Sequence, residues 1–249
     1  MARQKGIIKL KGKVGDLSFY QSRDGNLVRE KGGVDGTRIA NDPAFARTRK
    51  NGAEFGSSAT SGKLVRDAVR SMMITASDGR VTARLTKLMT SIKNLDTTSA
   101  RGERTVGTAI ALPAAKARLK GFNFNSRAIL GSVLYKAYTV DTATGVIEMT
   151  DLVPINDIAF PRGATHVTFR GGWAKVDFTT NEQAIEFSNA VNLPLDGTLA
   201  NVTLTPAGVP TGAGIGLFLL LVEFTQEVNA IQYSLKNGAF NALSIVEVV

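Results

Sequence analysis

Over residues 6–31 apolar and polar positions alternate loosely with period two: Ile8, Leu10, Val14, Leu17, Phe19 and Tyr20 are interleaved with polar side chains. Gly12, Gly15 and the Asp24-Gly25-Asn26 run supply turns, so this stretch predicts a β-hairpin or short meander. Asp-Gly-Asn is the clearer turn, because these residues tolerate a positive φ where Leu or Val would not. After a flexible link, Gly32-Gly33-Val34-Asp35-Gly36, the period changes. Asn41-Asp42-Pro43 predicts a helix start, with Asp42 capping free N–H groups and Pro43 losing none that the helix needs. Phe45, Thr48, Gly52, Phe55 and Ala59 then recur at helical spacing, and Leu64, Val65, Ala68, Val69, Met72 and Met73 continue the pattern. A second segment, Val81, Leu85, Leu88, Met89, Ile92 and Leu95, follows a Ser77 or Asp78 cap, giving a helical hairpin joined near residues 76–79. Gly52, Gly56 and Ala59 keep one helix face small. Since each glycine costs a helix roughly 1 kcal/mol relative to Ala, close packing against another backbone is the expected reason.

Residues 97–102 read as loop, and 114–120 as a short basic helix after Pro113. Beyond Phe122 the chain turns to short β-type runs, at 132–138, 145–149, 165–169, 173–178, 201–205, 217–224 and 238–249, punctuated by Gly, Pro, Asn and Asp. Residues 183–187 fit a strand or a single helical turn. In the run 217–224 both faces are apolar, as in a central core strand. The expected fold class is α+β: an N-terminal β-hairpin arm and helical hairpin followed by an antiparallel β-sandwich. The expected divisions are 1–40 for the arm and linker, 41–120 for the helical region and 121–249 for the sandwich.

Composition adds charge to this picture. The 249 residues are 43% hydrophobic and 20% charged, enough for a sizeable core. Residues 1–130 hold 25 Lys and Arg against 10 Asp and Glu, whereas residues 131–249 hold 5 against 11. A basic end and a mildly acidic end suit an anionic partner or head-to-tail assembly. With 0 cysteines, disulfides, thiolate metal sites and cysteine nucleophiles are excluded. The basic start leads into Gly6-Ile7-Ile8-Lys9 rather than an apolar run, so no signal peptide is expected. The longest apolar run, 215–222, is too short to cross a bilayer. The expectation is a chain made in the cytoplasm, with a virion or extracellular particle as its destination if it assembles.

Catalytic readings find little to rest on. His166, the 1 histidine, alternates within a strand and reads as structural, since a metal site or a Ser-His-Asp triad would need distant partners that nothing identifies. Asp151, Asp157, Asp177, Glu182 and Glu186 are scattered among turns, with no spacing that sets a catalytic pair apart. The stretch 56–63 imitates a phosphate loop but has the wrong glycine spacing, and Leu64 stands where Ser or Thr must bind magnesium. Gly208, Gly212, Gly214 and Gly216 open a strand, not the helix a nucleotide fingerprint requires. Neither an enzyme activity nor a cofactor is expected. Phe19, Tyr20, Phe45, Phe55, Phe122 and Phe124 read as core or hairpin residues rather than a base-stacking platform. The basic half is the signal with functional weight: Lys9, Lys11, Lys13, Arg23, Arg29 and Lys31 decorate the arm. They read either as guards of an exposed sheet edge or as contacts to a neighbouring subunit or to nucleic acid.

The N-terminal third, about residues 5–105, resembles an uncharacterised protein family of Bacteroidetes genomes and their phages. The resemblance is carried by residues 6–20 (GIIKLKGKVGDLSFY), 28–33 (VREKGG) and the helix 42–56 (DPAFARTRKNGAEFG). It implies a phage or particle context and brings no catalytic or ligand residues. The functional expectation is a structural subunit of a self-assembling phage-like particle, a capsid, tube or filament, built through the basic arm. The alternative is a nucleic-acid-binding accessory protein without large-scale assembly. Partners would be copies of the chain, then DNA or RNA, with no membrane and no small-molecule substrate.

Overall fold

The computed structural model describes every residue except Met1, Arg23, Lys31, Lys236 and Asn237. The chain divides into two compact units, Met1–Arg49 and Lys50–Val249, so the boundary falls later than residue 40. In the first unit, β1 (Ala2–Arg3), β2 (Gly12–Val14), β3 (Leu17–Ser22) and β4 (Gly25–Glu30) form an antiparallel sheet in the order β1-β4-β3-β2. The predicted meander is present over residues 12–30, with β1 added at its far edge, but Ile8 and Leu10 lie in the loop before β2, and Gly12, expected in a turn, pairs with Phe19. Gly15, at φ 57°, makes the tight turn between the paired Val14 and Leu17. The predicted flexible link instead runs into a short helix, α1 (Gly36–Asn41), because the Asp35 carboxylate accepts from Thr37 N at 2.8 Å. Asp42 caps as expected, accepting from Ala44 N at 2.9 Å, but it opens a 3-10 turn, Pro43–Phe45. That turn leads into α2 (Ala46–Ala68).

The second unit continues with α3 (Arg70–Thr75), α4 (Val81–Lys93), α5 (Val106–Ala109), α6 (Pro113–Leu119) and α7 (Leu130–Val133). After β5 (Thr139–Val140), β6 (Ile147–Leu152) and α8 (Pro154–Asp157) come β7 (His166–Asp177), β8 (Glu182–Pro194) and β9 (Ala200–Leu204). The chain closes with β10 (Ile215–Val228), β11 (Ile231–Ser234) and β12 (Ala242–Val248). One sheet has the order β11-β10-β7-β8, with β12 also paired to β10; the other is β5-β6-β9. They pack as a β-sandwich: Ile147, Met149, Val202 and Leu204 of the small sheet share a buried cluster with Phe169, Phe218, Leu220 and Phe224 of the large one. The opposite face of the large sheet is buried by helices. Leu217, Leu219, Leu221 and Ile245 join Val65, Met72, Leu85, Met89 and Ile92 in a second cluster. The helical region and the sandwich are therefore one unit of three layers, not two regions in series.

β10 is the spine of this arrangement. Its alternate residues enter different cores, which explains why its sequence shows no polar face. At about 1.5–3 kcal/mol for each fully buried large apolar side chain, the run 217–224 is the densest source of stability in the chain. Gly172 lets the helical layer approach this sheet, since a Cβ there would meet Met72 Sδ at 2.9 Å. Gly214, at φ 90°, is stricter: a Cβ would lie 2.2 Å from the carbonyl oxygen of Val176.

Several local expectations are corrected. The runs 165–169 and 173–178 are one strand, with Gly171 and Gly172 inside it rather than in a turn. Residues 132–138 are not a strand: Leu130, Val133 and Leu134 lie at helical spacing, all three are buried, and α7 results. The buried residues of α2 are Glu54, Ser58, Ser61, Gly62, Leu64, Val65 and Ala68: the expected Leu64, Val65 and Ala68 are buried, but earlier in the helix the stripe runs through Glu54, Ser58 and Ser61 instead of Gly52, Phe55 and Ala59.

Polar groups anchor the helical layer. The Lys93 ammonium pairs with Glu54 with both side chains nearly fully buried, and Gly102 N donates to the other Glu54 oxygen at 2.7 Å. Asp78 does not cap α4 through its first turn as a simple N-cap. It accepts from Arg80 N at 2.6 Å, from Ser126 N at 2.8 Å and from Arg84 Nη2 at 2.5 Å. Arg84 in turn donates to the carbonyls of Asn123 and Phe124 at 2.7 and 2.9 Å. Burial pushes the Asp78 carboxyl up, but the Ser126 and Arg80 N–H groups and Arg84 outweigh it and bring it down to about 2.

Candidate assembly interface

Across an antiparallel ladder, directly opposed residues share a face. Ala2 faces Val28, Val28 faces Phe19, and Val14 faces Leu17, so Ala2, Val14, Leu17, Phe19 and Val28 gather on one side of the N-terminal sheet. The same pairing puts Arg3 with Leu27 and Tyr20, and Arg29 with Ser18 and Lys13, on the other side. One face thus combines these apolar side chains with Gln21, Asn26 and Glu30, and the other is a basic face with Arg3, Lys13 and Arg29. Arg29 Cζ sits 5.6 Å over the Tyr20 ring on the basic one.

No described residue of the first unit is buried. Val14 is 62% exposed and Leu17 43%. A sheet holds a stable fold when one face is covered, and on this face Phe19 and Val28 are half-buried while Val14 and Leu17 stay exposed. The loop between β1 and β2 has the same character. Gln4 staples it: Gln4 Nε2 donates to the carbonyls of Leu10 and Leu27, and Leu10 N donates back to Gln4 Oε1 at 2.9 Å. The stapled loop presents Ile7 and Ile8 fully or almost fully to solvent.

Of the basic residues the sequence singled out, Lys13 and Arg29 come together on the basic face. Lys11 is exposed beside β2. Lys9 is engaged locally, its ammonium donating to the carbonyls of Gln4 at 2.6 Å and Gly6 at 2.7 Å. Arg23 and Lys31 lie outside the described residues. The small-residue face is corrected. Gly52 and Gly56 look onto open space and Ala59 is half-buried, whereas the close approach is made by Gly62 against Leu85 and Thr86. Phe55, expected in a core or hairpin, is 61% exposed and edges a groove of about 620 Å³ with Ala83, Thr86, Lys87, Thr90, Ser91 and Asn94.

Features that sequence reasoning missed are the exposed Ile7-Ile8 tip, the sorting of the arm into two faces, and the length of β8. The second had a signal: strict pairing through the Gly15 turn fixes which residues share a side. β8 had a weaker one, because its side chains are half-exposed on both faces.

The other sites read from the sequence are dispersed. His166 opens β7, with its Nδ1 3.0 Å from Thr165 Oγ1 and its Nε2 3.6 Å from Glu227. Asp177 accepts from Thr179 N at 2.7 Å, which holds its carboxyl below the ordinary value, and Asp157 accepts from Val153 N at 2.8 Å. The 56–63 stretch is inside α2, and residues 208–214 form the loop before β10. Among the described residues no group of three or more His, Asp or Glu side chains is arranged to hold a metal ion, and no helix is long and apolar enough to cross a membrane. No protein-family model, curated protein or solved structure matches this chain.

Proposed function

We propose that this chain is a structural, non-enzymatic subunit that assembles with copies of itself through its N-terminal sheet, as in a phage-like capsid, tube or filament. The observation that carries the reading is that no described residue of the first unit is buried, while one face of its sheet gathers Ala2, Val14 and Leu17, all exposed, with the half-buried Phe19 and Val28. A sheet of this kind gains its cover from another molecule. The second unit needs no such help, since both of its buried clusters lie within residues 64–248. The charge asymmetry supports contacts between unlike ends, which propagate into rings or arrays.

Negative-stain microscopy and light scattering of the full chain, of a chain lacking residues 1–33, and of a Leu17→Ser/Val28→Ser variant test this. Ordered particles from the full chain, absent from both variants, are expected; a full chain that stays monomeric at high concentration overturns the reading. A second reading draws on Arg3, Lys13 and Arg29, which share the basic face with Tyr20. A nucleic-acid-binding accessory protein would use that face, its affinity for labelled DNA or RNA would fall steeply with salt, and no large assembly would form.

A further inference from the structure

β8 ends the large sheet, with β7 on one side. Its outer side is closed over part of its length: Ala207 N donates to Phe187 O at 2.9 Å, Asn189 N donates to Thr205 O at 3.3 Å, and Ser188 bridges Pro206. Because Phe187 O points outward and strand polarity repeats every two residues, the N–H and C=O groups of Ile185 and Gln183 point outward as well. Among the described residues no strand pairs with that stretch. Glu182 and Glu186 alternate onto one face there; Asp177 and Lys175 lie opposite Glu182 and Ala184 on β7, so the local charge is net negative.

The arm offers the complement. β2 ends the N-terminal sheet, its outer side is likewise unpaired among the described residues, and Lys11 and Lys13 flank Gly12. Other edges of the second unit are less suited. β12 is covered by residues 121–124 through bonds such as Phe124 N to Leu243 O at 2.8 Å, and β11 carries only uncharged side chains. Resting on the assembly reading above, we infer that β2 of one copy adds as a strand to the 183–185 edge of β8 in the next copy, drawn there by Lys11 and Lys13 against Glu182 and Glu186. Backbone hydrogen bonds give such an added strand its affinity, and the side-chain charges choose the partner. The contact is head-to-tail and therefore repeats from copy to copy.

The absence of native cysteine makes the test unambiguous. A Lys13→Cys chain and a Gln183→Cys chain are prepared separately, assembled together, and treated with a short bis-maleimide; Ile185→Cys replaces Gln183→Cys in a parallel mixture. Cross-linked dimers in a mixture and in neither chain alone are expected, and a ladder from the Lys13→Cys/Gln183→Cys double variant. If mixed particles form but no mixture cross-links, the arm docks elsewhere: this inference falls and the assembly reading stands. A double variant that cross-links only within single chains overturns both. Charge exchange gives an independent readout. Glu182→Lys/Glu186→Lys is expected to raise the concentration needed for assembly about tenfold, the scale of losing opposite-charge cross-strand pairs and gaining like-charge ones. Adding Lys11→Glu/Lys13→Glu in the same chain is expected to restore it; failure of that restoration counts against the β2–β8 contact alone.

Discussion

Replacing Asp78 by asparagine removes the charge that draws together Arg80 N, Ser126 N and the Arg84 guanidinium at the entrance to α4. The folded carboxyl titrates at about 2 against an ordinary 3.8. That depression corresponds to about 2 kcal/mol of folding stability tied to the ionised form. Asparagine retains an acceptor oxygen, so a loss of about 1–2 kcal/mol at pH 7 is expected. Because the folded value is the lower one, this stability is fully present above pH ~4 and is lost as the pH falls from about 3.8 through 2. Urea unfolding of both proteins, followed by far-ultraviolet circular dichroism between pH 7 and 2, reads the difference directly. Contributions of other carboxylates cancel between the two chains. A gap below about 0.5 kcal/mol at pH 7, or one that does not shrink as the pH falls, would refute the assignment of Asp78 as the anchor.

Other substitutions probe different parts of the body. Lys93→Met leaves the Glu54 carboxylate buried without its cation and is expected to destabilise by about 3–5 kcal/mol; a Glu54→Gln/Lys93→Met chain should recover much of that in denaturant titration. Gly214→Ala forces a Cβ against the Val176 carbonyl and should lower the melting temperature clearly more than Gly172→Ala, where the flexible Met72 thioether can yield. Phe55→Ser, at a side chain that is mostly exposed, should change stability by no more than about 0.5 kcal/mol in the same titration.

Strong periodicity was readable from the sequence and weak periodicity was not. The second helix from Val81 and the doubly apolar strand at 217–224 were legible because each carries an unbroken pattern, and the meander at 12–30 because its turn residues, Gly15 and Asp24-Gly25-Asn26, mark its corners. The phase of α2 was not, because its buried stripe begins with Glu54, Ser58 and Ser61, polar residues made tolerable by Lys93 and by hydroxyl bonds such as Ser58 Oγ to Glu54 O at 2.9 Å. Phe55, the conspicuous apolar residue nearby, points the pattern the wrong way. Gly171-Gly172 split one strand into two expected runs because glycine weakens strands in isolation; here the two glycines admit Ser188 and Leu204 on one side and Met72 on the other. The basic arm was visible as composition, but its division into two faces needed the pairing register, which no count of lysines contains.

Since β10 lies between both cores, neither can come apart while the other stays intact. Amide protons along residues 217–224 should therefore exchange with deuterium at one common, slowest rate set by global opening.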